Sequence, residues 1–142
     1  MYKDILLTVD LGHESSWSKA LPIAVDYAKA FGATLHVMTV VPDFGMSIVG
    51  SFFPEGFEKQ ALAETQKRLT TFCDDKISKD IKVQHIVGHG VVYEEILRIA
   101  EETKPDLIIM ASHRPELKDY LIGPNAARVV RHANCSVQVV RD

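Results

Sequence analysis

The chain has 142 residues, 46% hydrophobic and 25% charged, which is typical of a globular protein with one ordinary domain, here residues 1–142. Its net charge of −3 argues against bulk binding to nucleic acid or to an anionic membrane surface. Apolar runs such as LIIMA at 107–111 are too short to span a bilayer, and we find no signal-peptide cleavage site.

The first part of the chain alternates apolar runs with helical spacing. Residues 2–9 predict a buried strand, the spacing over 17–28 predicts a helix that Gly32 ends, and residues 33–41 predict a second strand. The segment 42–56 holds two prolines and three glycines, so it is irregular. It is either a lid or contact surface, or an apolar flap that covers the edge of the core.

The alternation continues to the end of the chain. The further predicted elements are a long amphipathic helix over 57–78, a strand over 81–88, a helix over 91–104 with Glu94 and Glu95 in a solvated first turn, a strand over 106–112, a helix beginning near Gly123 or Pro124, and a strand over 136–140. This order implies right-handed crossovers and a doubly wound, mainly parallel α/β sheet with helices on both faces. The two most apolar strands, 2–9 and 106–112, should be central.

Ligands of open α/β sheets bind outside the carboxyl ends of the strands, where the strand order reverses. If the first and fourth strands are central neighbours, one wall of that crevice comes from the first and second strands and the other from the fourth. The candidate residues are Thr8, Val9, Asp10, Val40, Val41, Met110, Ala111, Ser112 and His113.

Two features of this crevice favour a nucleotide. Asp10 ends a buried strand, where a carboxylate can accept a hydrogen bond from a ribose hydroxyl or an adenine amine. Gly123, Pro124 and Asn125 open a helix whose free N–H groups and dipole can face an anion. The alternatives are a loop or helix-capping role for Asp10 and a tight turn without ligand at Gly123.

Other chemistries have weaker support in the sequence. Serines have histidines nearby, but a G-x-S-x-G elbow is missing, and so are the Walker A and G-x-G-x-x-G patterns. His85 and His89 lie four residues apart along a strand and its exit, which places them roughly 13 Å apart, too far to chelate one metal. Cys73 and Cys135 lack metal or redox spacing and are expected to be structural thiols in a reducing compartment.

Three stretches together resemble the universal stress proteins, most closely their F-type members. They are ILLTVD near the start, GVVYEEI at 90–96, and DLIIMASHRPELKDYLIGPNAARVVRHANCSVQVV at 106–140, so the resemblance covers essentially the whole chain. It implies a five-stranded parallel sheet in the order 3-2-1-4-5, the fold of the adenine nucleotide alpha hydrolases. It also implies a cytoplasmic protein that binds ATP or AMP, has no redox cofactor, and forms a homodimer through its last strand, here Ser136 to Val140.

The nucleotide-binding members of that family carry G-x-x-G, nine residues and then G-[ST]. Here the first two glycines align with Ala111 and Arg114, the spacer is one residue shorter, and Gly123 is kept, but Pro124 replaces the serine or threonine. Arg114 can pair with phosphates directly, whereas Pro124 removes a hydroxyl and a backbone N–H. Because Asn125 supplies an amide one residue later, we expect adenine-nucleotide binding with a weakened hold on the phosphates.

Three functions follow from these residues. The first is a non-enzymatic, adenine-nucleotide-binding sensor or regulator of the stress response. The second is an interaction module of the same fold that binds no nucleotide and acts through its dimer face and the 42–56 segment. The third is a slow ATP hydrolase with Asp10 or His113 as the only evident base. The resemblance leaves open whether Mg²⁺ accompanies a nucleotide, and we expect neither a nucleic-acid partner nor membrane insertion.

Overall fold

A computed structural model describes residues 1–41, 56–112 and 123–141 of the chain. The predicted 42–56 segment, apart from Gly56, and the predicted site residues His113 and Arg114 therefore lie outside the described residues. The strands and helices are, in chain order, β1 (Asp4–Thr8), α1 (Ala20–Phe31), β2 (Thr34–Val41), α2 (Phe57–Lys76), β3 (Val83–His89), α3 (Val92–Thr103), β4 (Leu107–Ala111), α4 (Pro124–His132) and β5 (Ser136–Val140).

The five strands form one parallel sheet in the order β3-β2-β1-β4-β5. Both the strand order and the central position of β1 and β4 confirm the expectation from the sequence. From β1 the chain continues outward to β2 and β3 on one side of the sheet, and it then returns to β4 on the other side of β1. The strand order therefore reverses between β1 and β4. The carboxyl ends of β1 and β4 therefore flank the switch point of the sheet.

Each central strand is buried on both faces, which explains its continuous apolar sequence. Neighbouring residues of β4 face opposite sides, so Ile109 packs in the cluster with α1 and α2 and Ile108 in the cluster with α3 and α4. Both isoleucines are fully buried. The helices thus cover the sheet as two layers, α1 with α2 and α3 with α4.

The loop after β1 contains a short 3₁₀ turn, Glu14–Ser16, that the sequence did not predict, and α1 begins only at Ala20. Trp17 lies before the helix and packs edge to face on Phe72 of α2 with ring centroids 5.1 Å apart. The predicted end of α1 at Gly32 is confirmed, and this glycine adopts the left-handed conformation with φ of 64°.

Within the described ranges, no helix is long and apolar enough to cross a membrane. Both cysteines are free thiols. Burial, with a smaller effect of the Asp74 carboxylate, raises the pKa of the Cys73 thiol to about 12, so this group stays protonated and unreactive. Burial also raises the pKa of Cys135, with Asp106 adding to the effect.

Candidate functional site

A cavity of about 210 Å³ opens at the carboxyl ends of β1 and β4, at the switch point of the sheet. Its walls come from the ends of three strands, the loop after β1, the first turns of α3 and the start of α4. The lining residues are Thr8, Val9, Asp10, Ser16, Met38, Thr39, Val40, Val92, Ile96, Met110, Ala111, Ser112, Gly123, Pro124, Asn125 and Ala126. Most of these side chains are apolar, and the polar ones concentrate at the strand ends and at the start of α4.

The structure brings ten of the predicted site residues together in this lining: Thr8, Val9, Asp10, Val40, Met110, Ala111, Ser112, Gly123, Pro124 and Asn125. Val41 was also predicted there, but it is not part of the lining. Its carbonyl accepts the N–H of Gly90 at 3.0 Å, so this part of its backbone turns toward the β3 side and away from the crevice.

Asp10 is held in a compact loop by both of its carboxylate oxygens. Oδ1 accepts the backbone N–H of Gly12 at 3.0 Å, which forms an Asx turn, and Oδ2 lies 2.9 Å from Nδ1 of His13. The side chain is 39% exposed, so it remains accessible from the cavity. Asp10 therefore has the predicted loop role and also lines the cavity. The two are compatible because a carboxylate can accept more than two hydrogen bonds.

Ser16 closes the same loop through its hydroxyl, which has three backbone groups within hydrogen-bond distance. Oγ accepts the N–H of Asp10 at 2.8 Å and lies 3.0 Å and 2.7 Å from the carbonyls of Asp10 and His13, to which it can donate. One hydroxyl thus fixes the backbone on both sides of the loop. These contacts fix the backbone of Asp10 beside the cavity, whereas its carboxylate is held by Gly12 and His13.

The start of α4 offers fewer donors than a free helix terminus. The N–H of Gly123 donates to the carbonyl of Ser112, and Pro124, the first helical residue, has no N–H. Since the helical bonds begin with Ala127 donating to Gly123, the N–H groups of Asn125 and Ala126 are the ones left for an anion. The free N–H groups predicted at this helix start therefore do not include that of Gly123, which donates to Ser112.

The wall opposite α4 comes from Val92 and Ile96 at the start of α3. Glu95, between them, was predicted to be solvated, but its side chain is only 14% exposed. Its carboxylate accepts the backbone N–H of His89 at 3.0 Å and pairs with the guanidinium of Arg98. Glu94, by contrast, is exposed, as the sequence predicted.

Six lining residues were missed by the sequence analysis: Ser16, Met38, Thr39, Val92, Ile96 and Ala126. Val92 and Ile96 are four apart on a helix, and this spacing places both on one face, so a signal was present although no site role was predicted for that face. Ser16 had no comparable signal, because its contribution depends on the fold of the loop. Among the described residues, no three histidine, cysteine, aspartate or glutamate side chains are grouped so that they could hold a metal ion.

The model of the family described as "Universal stress protein family" matches residues 1–141 of the chain. Universal stress protein G of Escherichia coli is 31% identical over 143 residues, covering 99% of this chain and 100% of that protein. Universal stress protein MJ0531 of Methanocaldococcus jannaschii is also 31% identical, covering 99% of this chain and 83% of that protein.

Solved structures agree with this family match. The structure of hypothetical protein MJ0577 superposes with a TM-score of 0.75 at 30% identity, covering 100% of this chain and 97% of that one. A universal stress protein solved in complex with cAMP has the same fold, with a TM-score of 0.62 and 21% identity over 99% of this chain and 97% of that one. The universal stress protein of Archaeoglobus fulgidus in complex with dAMP has a TM-score of 0.63 and 17% identity, covering 97% of each chain.

Proposed function

Since the chain belongs to the universal stress protein family, we propose that it binds an adenine nucleotide, ATP or AMP, in the cavity between β1 and β4. The observation that carries this proposal is the convergence on one cavity of the Asp10 carboxylate, the end of β2 and the start of α4. These three parts match the three parts of a nucleotide: ribose, base and phosphate. In the cell we expect a cytoplasmic stress-response sensor or regulator.

The base fits the end of β2. The ladder between β1 and β2 ends where the N–H of Val9 donates to the carbonyl of Met38 at 2.9 Å. Alternate residues of a strand turn their backbone groups to the same side, and Val40 lies two residues after Met38. The N–H and carbonyl of Val40 therefore face the β1 side, beyond the end of the ladder, and point toward the crevice. Such a pair complements adenine, which offers N1 as acceptor and its amine as donor, whereas guanine offers the reverse pattern.

The ribose and the phosphates fit the other two parts. The Asp10 carboxylate can accept a hydrogen bond from a ribose hydroxyl, with its position set by Gly12 and His13. The N–H groups of Asn125 and Ala126 and the helix dipole of α4 favour an anion beside them. The start of α4 offers two backbone donors, whereas a free helix terminus offers four. We therefore expect the phosphates to contribute less to affinity than the nucleoside does.

The complexes of two family structures with cAMP and dAMP support an adenine nucleotide as the ligand class. We propose that the protein holds its ligand without turning it over. The Asp10 carboxylate already accepts two hydrogen bonds within its own loop, which suits it to recognition rather than to proton transfer.

The quaternary structure is part of the proposal. β5 forms one edge of the sheet, and no described strand covers its outer side. An exposed strand edge is a template for pairing with a second chain, so we propose a homodimer through Ser136–Val140.

A second function is favoured by the start of α4. Pro124 and the engaged Gly123 N–H remove two of the donors a phosphate would use. A dimeric interaction module that binds no nucleotide is consistent with this loss, and it would still use the β5 edge.

Isothermal titration with ATP, AMP and GTP separates the two functions. We expect both adenine nucleotides to bind with measurable heat and GTP to bind at least about tenfold more weakly, because it presents the reversed donor pattern to Val40. Asp10→Ala should weaken binding, whereas Asp26→Ala, an exposed carboxylate on α1, is the matched control. Absence of heat and of any thermal shift at millimolar ATP would leave the interaction module as the function.

A further inference from the structure

His13 stands beside the proposed site without lining its cavity. Its backbone is fixed at the start of the 3₁₀ turn, where its N–H donates to the carbonyl of Asp10 and its own carbonyl accepts the N–H of Ser16, both at 3.0 Å. Its ring nitrogen Nδ1 lies 2.9 Å from Oδ2 of Asp10. Because an ionised carboxylate only accepts hydrogen bonds, Nδ1 of His13 carries a proton and donates a hydrogen bond to Oδ2 of Asp10.

Two of the contacts of the Asp10 carboxylate fix different degrees of freedom. Gly12 holds Oδ1 through the backbone, so this contact is present whatever residue stands at position 13. A carboxylate held at one oxygen can still rotate about its last bond, whose torsion is broad. The second contact, from His13 to Oδ2, fixes the plane of the group and therefore the direction of its remaining lone pairs.

We propose that His13 is a positioning residue that orients the Asp10 carboxylate toward the ribose hydroxyls of the bound nucleotide. The inference rests on the proposed function and adds to it a residue that does not touch the ligand. It assigns the preference for ribose to a pair of side chains: Asp10 accepts the hydroxyl hydrogen bonds, and His13 holds Asp10 in the geometry that makes them.

The test compares AMP with its 2′,3′-dideoxy analogue by titration calorimetry. A hydroxyl bonded to a carboxylate makes a charge-assisted hydrogen bond, so we expect the wild type to prefer AMP by about tenfold or more. His13→Leu should bring this ratio close to one, mainly by weakening AMP. His13→Asn should preserve the ratio, because the amide nitrogen of Asn stands as many bonds from Cα as Nδ1 does.

Two controls separate positioning from a general structural role. His132→Leu, an exposed histidine in the last turn of α4, should leave the ratio unchanged. In an Asp10→Ala background, His13→Leu should have no further effect on the ratio, because the group it orients is missing. His13 is 40% exposed, and His13→Ser replaces the leucine variant should that one fold poorly.

Each remaining outcome overturns the inference in a recognisable way. An unchanged ratio in His13→Leu, or an equal loss for both ligands, shows that His13 does not orient Asp10 toward ribose. A wild type that binds both ligands equally removes the ribose role of Asp10 but leaves nucleotide binding intact. A wild type that binds neither ligand overturns the proposed function as well.

Discussion

The carboxylate of Glu95 accepts the backbone N–H of His89, and this hydrogen bond closes the turn between β3 and α3. The Glu95 side chain lies so close to the end of β3 that a Cβ added to Gly88 would lie 3.2 Å from Oε1 and 3.3 Å from Cβ of Glu95. The turn leads into α3, whose residues Val92 and Ile96 form one wall of the candidate site. A side chain that never enters the cavity thus determines where that wall stands.

Glu95→Ala should destabilise the protein by about 1–3 kcal/mol, because the N–H of His89 loses the partner that the carboxylate provides. Chemical denaturation measures the change in the free energy of unfolding. Glu94→Ala is the matched control, since this neighbouring carboxylate is exposed and its loss should cost no more than about 0.5 kcal/mol. Equal effects of the two substitutions would contradict the role assigned to Glu95.

The stabilisation by Glu95 should depend on pH. Its hydrogen bonds with Arg98 are the main reason that the pKa of Glu95 lies below its ordinary value of 4.5, and the N–H of His89 lowers it further. A carboxyl group whose pKa is lower in the folded than in the unfolded state stabilises the fold above the unfolded pKa and loses this effect as the pH falls through the folded pKa. The difference in unfolding free energy between wild type and Glu95→Gln should therefore be constant well above pH 4.5 and shrink below it. A difference that stays the same down to pH 3 would contradict this assignment.

The sequence predicted the sheet and the position of the cavity because both depend on strong local signals. The apolar runs that become β1 and β4 are buried on both faces, so their central position follows from composition alone. Once these two strands are neighbours, the crevice at their carboxyl ends follows from topology, and ten predicted residues line the cavity.

The errors concern groups whose role depends on a distant partner. An acidic residue in the first turn of a helix is usually solvated, and the sequence of α3 gives no sign that Glu95 turns back to His89. Helix starts usually leave N–H donors unpaired, but the carbonyl of Ser112, eleven residues earlier, accepts the N–H of Gly123. Such pairings are set by the tertiary fold and not by spacing along the chain.

Pro124→Ser should strengthen the binding of ATP. The substitution restores a backbone N–H and adds a hydroxyl at the first position of α4, beside the two donors of Asn125 and Ala126. One additional hydrogen bond of about 1 kcal/mol corresponds to a roughly fivefold gain in affinity. Titration with adenosine should show no gain, because adenosine lacks the phosphates, and Pro22→Ser on the exposed side of α1 should change neither affinity. A gain for adenosine as large as that for ATP would place the effect elsewhere than at the phosphates.

Val139→Pro should convert the proposed dimer to a monomer. The carbonyl of Val140 accepts the N–H of Ser112, so the backbone of Val140 faces β4 and that of Val139, one residue before, faces the outer edge of the sheet. Proline at position 139 therefore removes a donor from the outer edge and leaves the β4 side of the ladder intact. Val139→Thr keeps both the N–H and the branched Cβ, so it is the matched control and should remain dimeric. Light scattering that finds the same mass for wild type, Val139→Thr and Val139→Pro would exclude a dimer held by the N–H of Val139.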